Sequence, residues 1–265
     1  MPIPSSISDF VDTLQSSGRY AFTREEVADA LALSATTLTK ALQRLVHKHR
    51  IQPLRRGFFV IVPIEYSGTG MIPADWFIDD LMRFLELPYY VGVLSAASLH
   101  GAAHQQPQEY HIVVPRLERP IKRRNMAIRF FRYGAMETVQ TERLKGYSGL
   151  LPVSTPAATA FDLTRFAVHI GGFDTVLTVL SELAEKMTAE GILAAARVET
   201  ERAQVQRVGW LLERAGFSEL TGPLAEWISS LHPTKVRLDP RKPSRGSRKD
   251  SRWQLVVNSE PEGEI

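Results

Sequence analysis

Apolar residues return at helical spacing from the start of the chain. Ile7, Phe10, Val11 and Leu14 lie on one stripe, and Gly18 is placed to end that helix. A short extended piece, Tyr20 to Phe22, leads into TREEVADALAL, where Thr23 and Glu26 form a capping-box pair and Val27, Ala30 and Leu31 make the inner face. Ser34 is placed to cap a third helix with Leu38, Ala41, Leu42, Leu45 and Val46 on its apolar stripe. That leaves Thr36, Thr37, Thr39, Lys40, Gln43, Arg44 and Lys48 largely outside it. Ile51 to Leu54 and Phe58 to Val62 have strand pattern and flank Arg55-Arg56-Gly57, where Gly57 can take positive φ. Three short helices, a three-residue turn at Ala32-Leu33-Ser34 and a hairpin predict a winged helix-turn-helix over 1–62.

Beyond it, 63–72 carries Pro63, Gly68 and Gly70 and is expected to be a linker. A larger domain over 73–265 begins with a helical pattern at Trp76, Ile78, Leu81, Met82 and Leu85. YYVGVLSAASLHGA starts as a strand and turns helical around Ser95 to Leu99; EYHIVVP predicts a buried strand and MAIRFFRY an alternating one. Thr155 as N-cap and Pro156 at the first helical position open a helical run. From Phe173 to about Leu231 the period is helical, with breaks at Met187-Thr188, Gly216 and Gly222-Pro223. The segment 235–252 holds eight Lys or Arg against Asp239 and Asp250, with three Ser and two Pro, and is expected to be a mobile arm or long loop. SRWQLVVN predicts a last strand returning to the domain's sheet. The expected fold is α+β: a winged helix followed by a mixed α/β domain that ends in helices and a final strand.

Composition narrows the chemistry. The 265 residues include no cysteine, which excludes disulfides, thiolate metal sites and thiol nucleophiles and suits a reducing cytoplasm. The first residues, MPIPSSISDF, lack the features of a secretory signal, and no run of about 18 apolar residues follows, so neither secretion nor a membrane partner is expected. Net charge is only +3, but the positive charge is clustered. Residues 36–62 carry six basic side chains (Lys40, Arg44, Lys48, Arg50, Arg55, Arg56) and no acid. In a winged helix the third helix enters the major groove N-terminus first, which makes Thr36, Thr37, Lys40 and Arg44 candidate base and phosphate contacts. Arg55 and Arg56 at the wing tip would reach the neighbouring backbone or minor groove. A second cluster, residues 115–134, has seven basic residues against Glu118, with Arg119, Lys122, Arg123 and Arg124 in a loop before the strand that bears Arg129. It could extend a DNA footprint, receive an acidic partner, or simply keep a sheet edge soluble.

Catalytic patterns are weak. His100 and His104 are spaced i,i+4, but no Glu stands where a zinc hydrolase would use one, so no metal is expected. Ser148 in GYSGL lacks the glycine two residues on that a nucleophile elbow has and is expected in a turn. Gly68-Thr69-Gly70 has neither a third glycine nor a phosphate-loop Lys. Asp162 in AFDL is expected to be a structural acid paired with Arg165. No cofactor and no enzymatic activity are expected.

The order of the pieces resembles the AbiEi antitoxin family of type IV toxin-antitoxin and abortive-infection systems. The likeness runs through LRRGFFVIVP, YYVGVLSAASLHGAAHQQPQEYHIVVP, IRFFRY and VSTPAATAFDL, over residues 20 to 165, with WQLVVN fitting the family's closing strand. The basic tail before Trp253 departs from it. The resemblance implies a repressor of its own operon that binds inverted repeats in promoter DNA through the winged helix. It also implies a C-terminal domain that counters a nucleotidyltransferase-like toxin, with or without binding it directly. Two other classes stay open on the residues alone: an enzyme that the winged helix only positions on nucleic acid, and a protein-interaction scaffold.

Overall fold

A computed structural model describes residues 4–102 and 108–263. Helix α1 (Ile7–Ser16) starts at Ser6, whose hydroxyl accepts the Asp9 amide. Strand β1 (Ala21–Thr23) runs into α2 (Arg24–Leu31) through the expected capping box of Thr23 and Glu26. The turn to α3 (Ala35–His47) is made by Ala32 in the left-handed region, φ 45°, and Ser34 accepts the Thr37 amide as N-cap. Strands β2 (Ile51–Arg55) and β3 (Phe58–Ile61) form the wing, and β1 joins it in an antiparallel sheet of order β1-β3-β2. Gly57 closes the wing turn at φ 87°, which a side chain would strain.

The segment expected as a linker is largely exposed over 64–69 but packed at its end. Met71 and Ile72 are buried and join the winged helix's own core, an apolar contribution of about 1.5–3 kcal/mol each. Helix α4 (Ile78–Phe84) continues this contact, with the Phe84 ring 5.2 Å from that of Phe58 in the wing.

A six-stranded sheet follows: β4 (Tyr90–Val91), then α5 (Val93–Leu99), β5 (Tyr110–Val114), β6 (Ile121–Arg123), β7 (Met126–Arg132), β8 (Thr141–Lys145) and β9 (Leu150–Ser154), in the order β6-β7-β5-β4-β9-β8. Both faces are covered, so alternate residues serve two cores. Val91, Ile112, Val114, Ile128, Leu151 and Val153 pack toward the winged helix and α4. Tyr90, Val113, Phe131 and Tyr133 pack toward the helices behind. The tip of the β8–β9 hairpin also reaches the winged helix. Tyr147 stacks on Trp76 at 3.6 Å and 6°, and Tyr20 meets both rings edge-on.

Helix α6 (Pro156–Arg165), capped by Thr155, crosses the rear face of the sheet and packs against α5, α7 (Phe173–Leu183), α8 (Ala189–Val198) and α9 (Arg202–Arg214), while α10 (Gly222–Ser230) packs on α8 and α9. The end of the chain differs from expectation. Leu255–Val257 (β12) does not return to the six-stranded sheet. It is the centre of a separate sheet, parallel to β10 (Val236–Arg237) and antiparallel to β11 (Arg248–Asp250). The segment expected as a mobile arm or long loop is thus two short strands and their long connection. Trp253 is the reason: its fully buried indole sits on the α9 backbone at Gly209, where a Cβ would lie 2.1 Å from the ring. Gln206 of α9 donates to the carbonyls of Thr234, Trp253 and Gln254, and Arg207 donates to that of Arg237. Eight cations disguise a segment anchored by one aromatic residue and these hydrogen bonds.

Candidate nucleic-acid interface

Helix α3 divides as its sequence requires. Leu38, Leu42 and Leu45 are buried, while Thr36, Thr37, Lys40, Gln43, Arg44, His47 and Lys48 are exposed. A shallow concavity on the outer side is lined by Lys40, Gln43, Arg44, His47 and Lys48. No acidic side chain lines it. Arg44 folds back to donate to the Lys40 backbone carbonyl at 3.3 Å, and both residues line this concavity. At the N-terminal turn, the Thr37 hydroxyl is within 2.9 Å of that of Ser34, so it belongs to the cap, and Thr36 is exposed beside it. The first turn of the helix also presents its backbone N–H groups to an incoming anion.

Arg24, which sequence reading passed over, reaches this turn from the start of α2. Its guanidinium donates to the Ala35 carbonyl at 3.1 Å and to the Thr39 hydroxyl at 2.8 Å. No periodicity links Arg24 to α3; the helix-turn-helix crossing brings them together.

The two wing arginines part company. Arg55 pairs with Glu118 at 3.1 Å and also donates to the Arg119 carbonyl, with only about a fifth of its side chain exposed. Arg56 is exposed at the turn and makes no ion pair among the described residues. The wing turn itself is held inward, since the Gly57 carbonyl accepts the Arg24 amide at 2.8 Å.

The second basic cluster lies against the winged helix and is divided. Arg123 donates to the Pro53 carbonyl of β2 at 3.1 Å, and Arg124, in the β6–β7 turn at φ 45°, approaches His49 at 3.3 Å. The Arg124 side chain also covers Gly70. Lys122 and Arg129 share Glu109, at 3.6 and 3.4 Å, and Arg129 further donates to the His169 carbonyl. Arg119 is exposed beside the Arg55 contact. Arg123 and Arg129 are therefore largely committed within the protein, and Arg119, Lys122 and Arg124 form its outer edge.

The candidate catalytic residues are placed otherwise. His104 lies outside the described residues; His100 Nε2 donates to the Ser154 carbonyl, 2.7 Å away. Ser148 is in the β8–β9 turn and donates to the Asp75 carbonyl. Asp162 is wholly buried, 2.8 Å from Arg165 and accepting from Tyr90 at 3.1 Å. Burial pushes its carboxyl up to about 7 against the pull of Arg165 and the Tyr90 hydrogen bond. Arg165 also pairs with Glu199 and lies 3.8 Å over the Tyr133 ring. One guanidinium thus serves two buried carboxylates, tying α6 to the end of α8. No cluster of metal-ligating side chains occurs among the described residues, and no described helix is long and apolar enough to cross a membrane.

Residues 90–214 match the family model of the AbiEi antitoxin C-terminal domain. Among solved structures, the RV2827C protein from Mycobacterium tuberculosis is similar over 100% of this chain and 95% of its own, with a TM-score of 0.67 and 16% sequence identity. At that identity the likeness is one of fold. No match is found among the curated proteins.

Proposed function

Because this chain carries the C-terminal domain of the AbiEi family antitoxins over residues 90–214, we propose that it is the antitoxin of a toxin-antitoxin pair and represses its own operon. In this reading the winged helix binds promoter DNA, and the C-terminal domain counters a nucleotidyltransferase-like toxin. The carrying observation is the exposed, acid-free face of α3, with Lys40 and Arg44 lining one concavity and Arg56 free at the wing turn. A surface that neutralises phosphates needs cations without competing carboxylates, and one that reads bases needs a helix exposed along its length. Inverted repeats would take two copies of the module, one per half-site.

The test is fluorescence anisotropy of the full chain on duplex DNA from upstream of its own gene and on a scrambled duplex, with the Lys40→Ala/Arg44→Ala variant alongside. The expected result is a preference for the native duplex of about 4 kcal/mol or more, in the range of specific over non-specific binding, which the variant loses. Equal binding of the two duplexes by the unaltered protein would overturn the repressor reading. The antitoxin half is tested separately, by whether the chain restores growth to cells expressing the toxin encoded beside it.

A further inference from the structure

The C-terminal sheet carries a third concentration of positive charge, outside the stretch matched to the antitoxin domain. Its register sorts the side chains. Leu255 and Val257 of β12 point into the core behind the six-stranded sheet, so Val256 between them faces outward. Val256 is paired with Arg237 of β10 on one side and Lys249 of β11 on the other. One row across the outer face is therefore Arg237, Val256, Lys249. Arg245 and Arg248 are exposed in the connection and at the edge strand beside it.

Three of the acids nearby are already engaged. Asp239 is buried and accepts from the Arg241 amide and guanidinium; Asp250 accepts the Trp253 amide. Glu213 holds Arg252 at 3.0 Å. The chain end leads away toward α7, where the Glu262 amide donates to Asp174. Arg245, Arg248 and Lys249 make no ion pair among the described residues. With Lys249 on the outer face, Arg248 on the exposed edge strand beside it and Arg245 in the connection, this edge of the sheet holds an excess of unpaired positive charge, which an anionic partner would relieve.

We propose that this outer face, with the β11 edge and the connection before it, is a second nucleic-acid surface, one that takes the phosphate backbone of duplex DNA without reading sequence. Unpaired cations with the hydroxyls of Ser244, Ser247 and Ser251 among them suit phosphate oxygens. Single strands are disfavoured because the segment's one aromatic, Trp253, is buried and leaves no platform for bases to stack on. The sheet packs on the rear helices, whereas the winged helix lies on the opposite face of the six-stranded sheet. The surface would therefore engage a different stretch of duplex from the one against α3.

The experiment is the binding of full-length protein to the native and scrambled duplexes across a salt series, for the unaltered chain and for Arg245→Ala/Arg248→Ala/Lys249→Ala. These side chains are exposed, so the melting temperature is expected to hold. If they contact phosphates, the salt slope falls by about 2–3, and affinity at 0.1 M salt falls roughly 100-fold or more, on both duplexes alike. Unchanged slope and affinity on both duplexes would overturn the proposal, including the case in which the face serves an acidic protein instead. Failure of the winged-helix reading looks different: the native duplex has no advantage, while the triple variant still weakens binding to both.

Discussion

Substituting the two neighbouring wing arginines one at a time separates a contact made inside the protein from one free for DNA. Sequence order makes Arg55 and Arg56 equivalent, but Arg55 is bound to Glu118 and the Arg119 carbonyl while Arg56 has no ion pair among the described residues. If Arg56 meets a phosphate, Arg56→Ala lowers the salt slope of duplex binding by about 0.9, which is roughly an 8-fold loss of affinity at 0.1 M salt. Stability should stay within about 0.5 kcal/mol, as for other exposed substitutions. Arg55→Ala removes a half-buried ion pair and a charge-assisted hydrogen bond, together about 1–2 kcal/mol. For a chain of this size that lowers Tm by roughly 2–8 °C, with little change in salt slope. The assays are anisotropy titrations from about 0.05 to 0.3 M salt and thermal melts followed by circular dichroism. A shallower slope for Arg55→Ala at an unchanged Tm, equal to that of Arg56→Ala, would refute the division of labour.

Three further outcomes follow from the core. Arg165→Met leaves the Asp162 and Glu199 carboxylates buried without their cation and should destabilise the fold by about 3–5 kcal/mol in chemical denaturation; a loss below about 1 kcal/mol would mean the triad is not what ties α6 to α8. His111 is buried against Phe131, and burial, reinforced by the charge of Arg129, brings its imidazole down to about 4. Since the unfolded chain takes up this proton near pH 6.5, stability is full above that value and is lost as pH falls toward 4, by roughly 2–3 kcal/mol at pH 4.5. His111→Leu should flatten that part of the pH profile, and an unaltered profile would count against it. Gly209→Ala would ordinarily favour a helix interior by about 1 kcal/mol. Here the methyl meets the Trp253 ring, so a net loss of about 1–3 kcal/mol is expected; a stabilised variant would show that the indole does not sit where described.

Much of the winged helix could be read before any coordinates, because its signals are local. Capping at Thr23 and Ser34, the stripe of α3 and the glycine of the wing turn each act within a few residues. The pattern predicts none of β6, β8 and β9, and it puts Lys122 and Arg123 of β6 in a loop. TERLK at the sheet edge is exposed and charged, and only pairing with Leu150–Ser154 makes it a strand. The pattern predicts the closing strand but puts it in the six-stranded sheet, and predicts a mobile arm or long loop before it, because the residues that hold them, Gly209, Gln206 and Arg207, lie about thirty to fifty positions away.

The sequence alone determined which side chains are cationic, which helical faces are apolar, and the resemblance of its pieces in order to the antitoxin family. Those depend on residue identity and on a periodicity of two to four positions. Only the tertiary structure decided which cations are free. Arg55, Arg123 and Arg129 are committed to partners distant in sequence, Arg24 is brought to the first turn of α3, and Arg56 and Lys249 remain open. The physical reason is that a charge's availability is set by its nearest carboxylate or carbonyl in space, and chain folding, not spacing along the chain, chooses that neighbour.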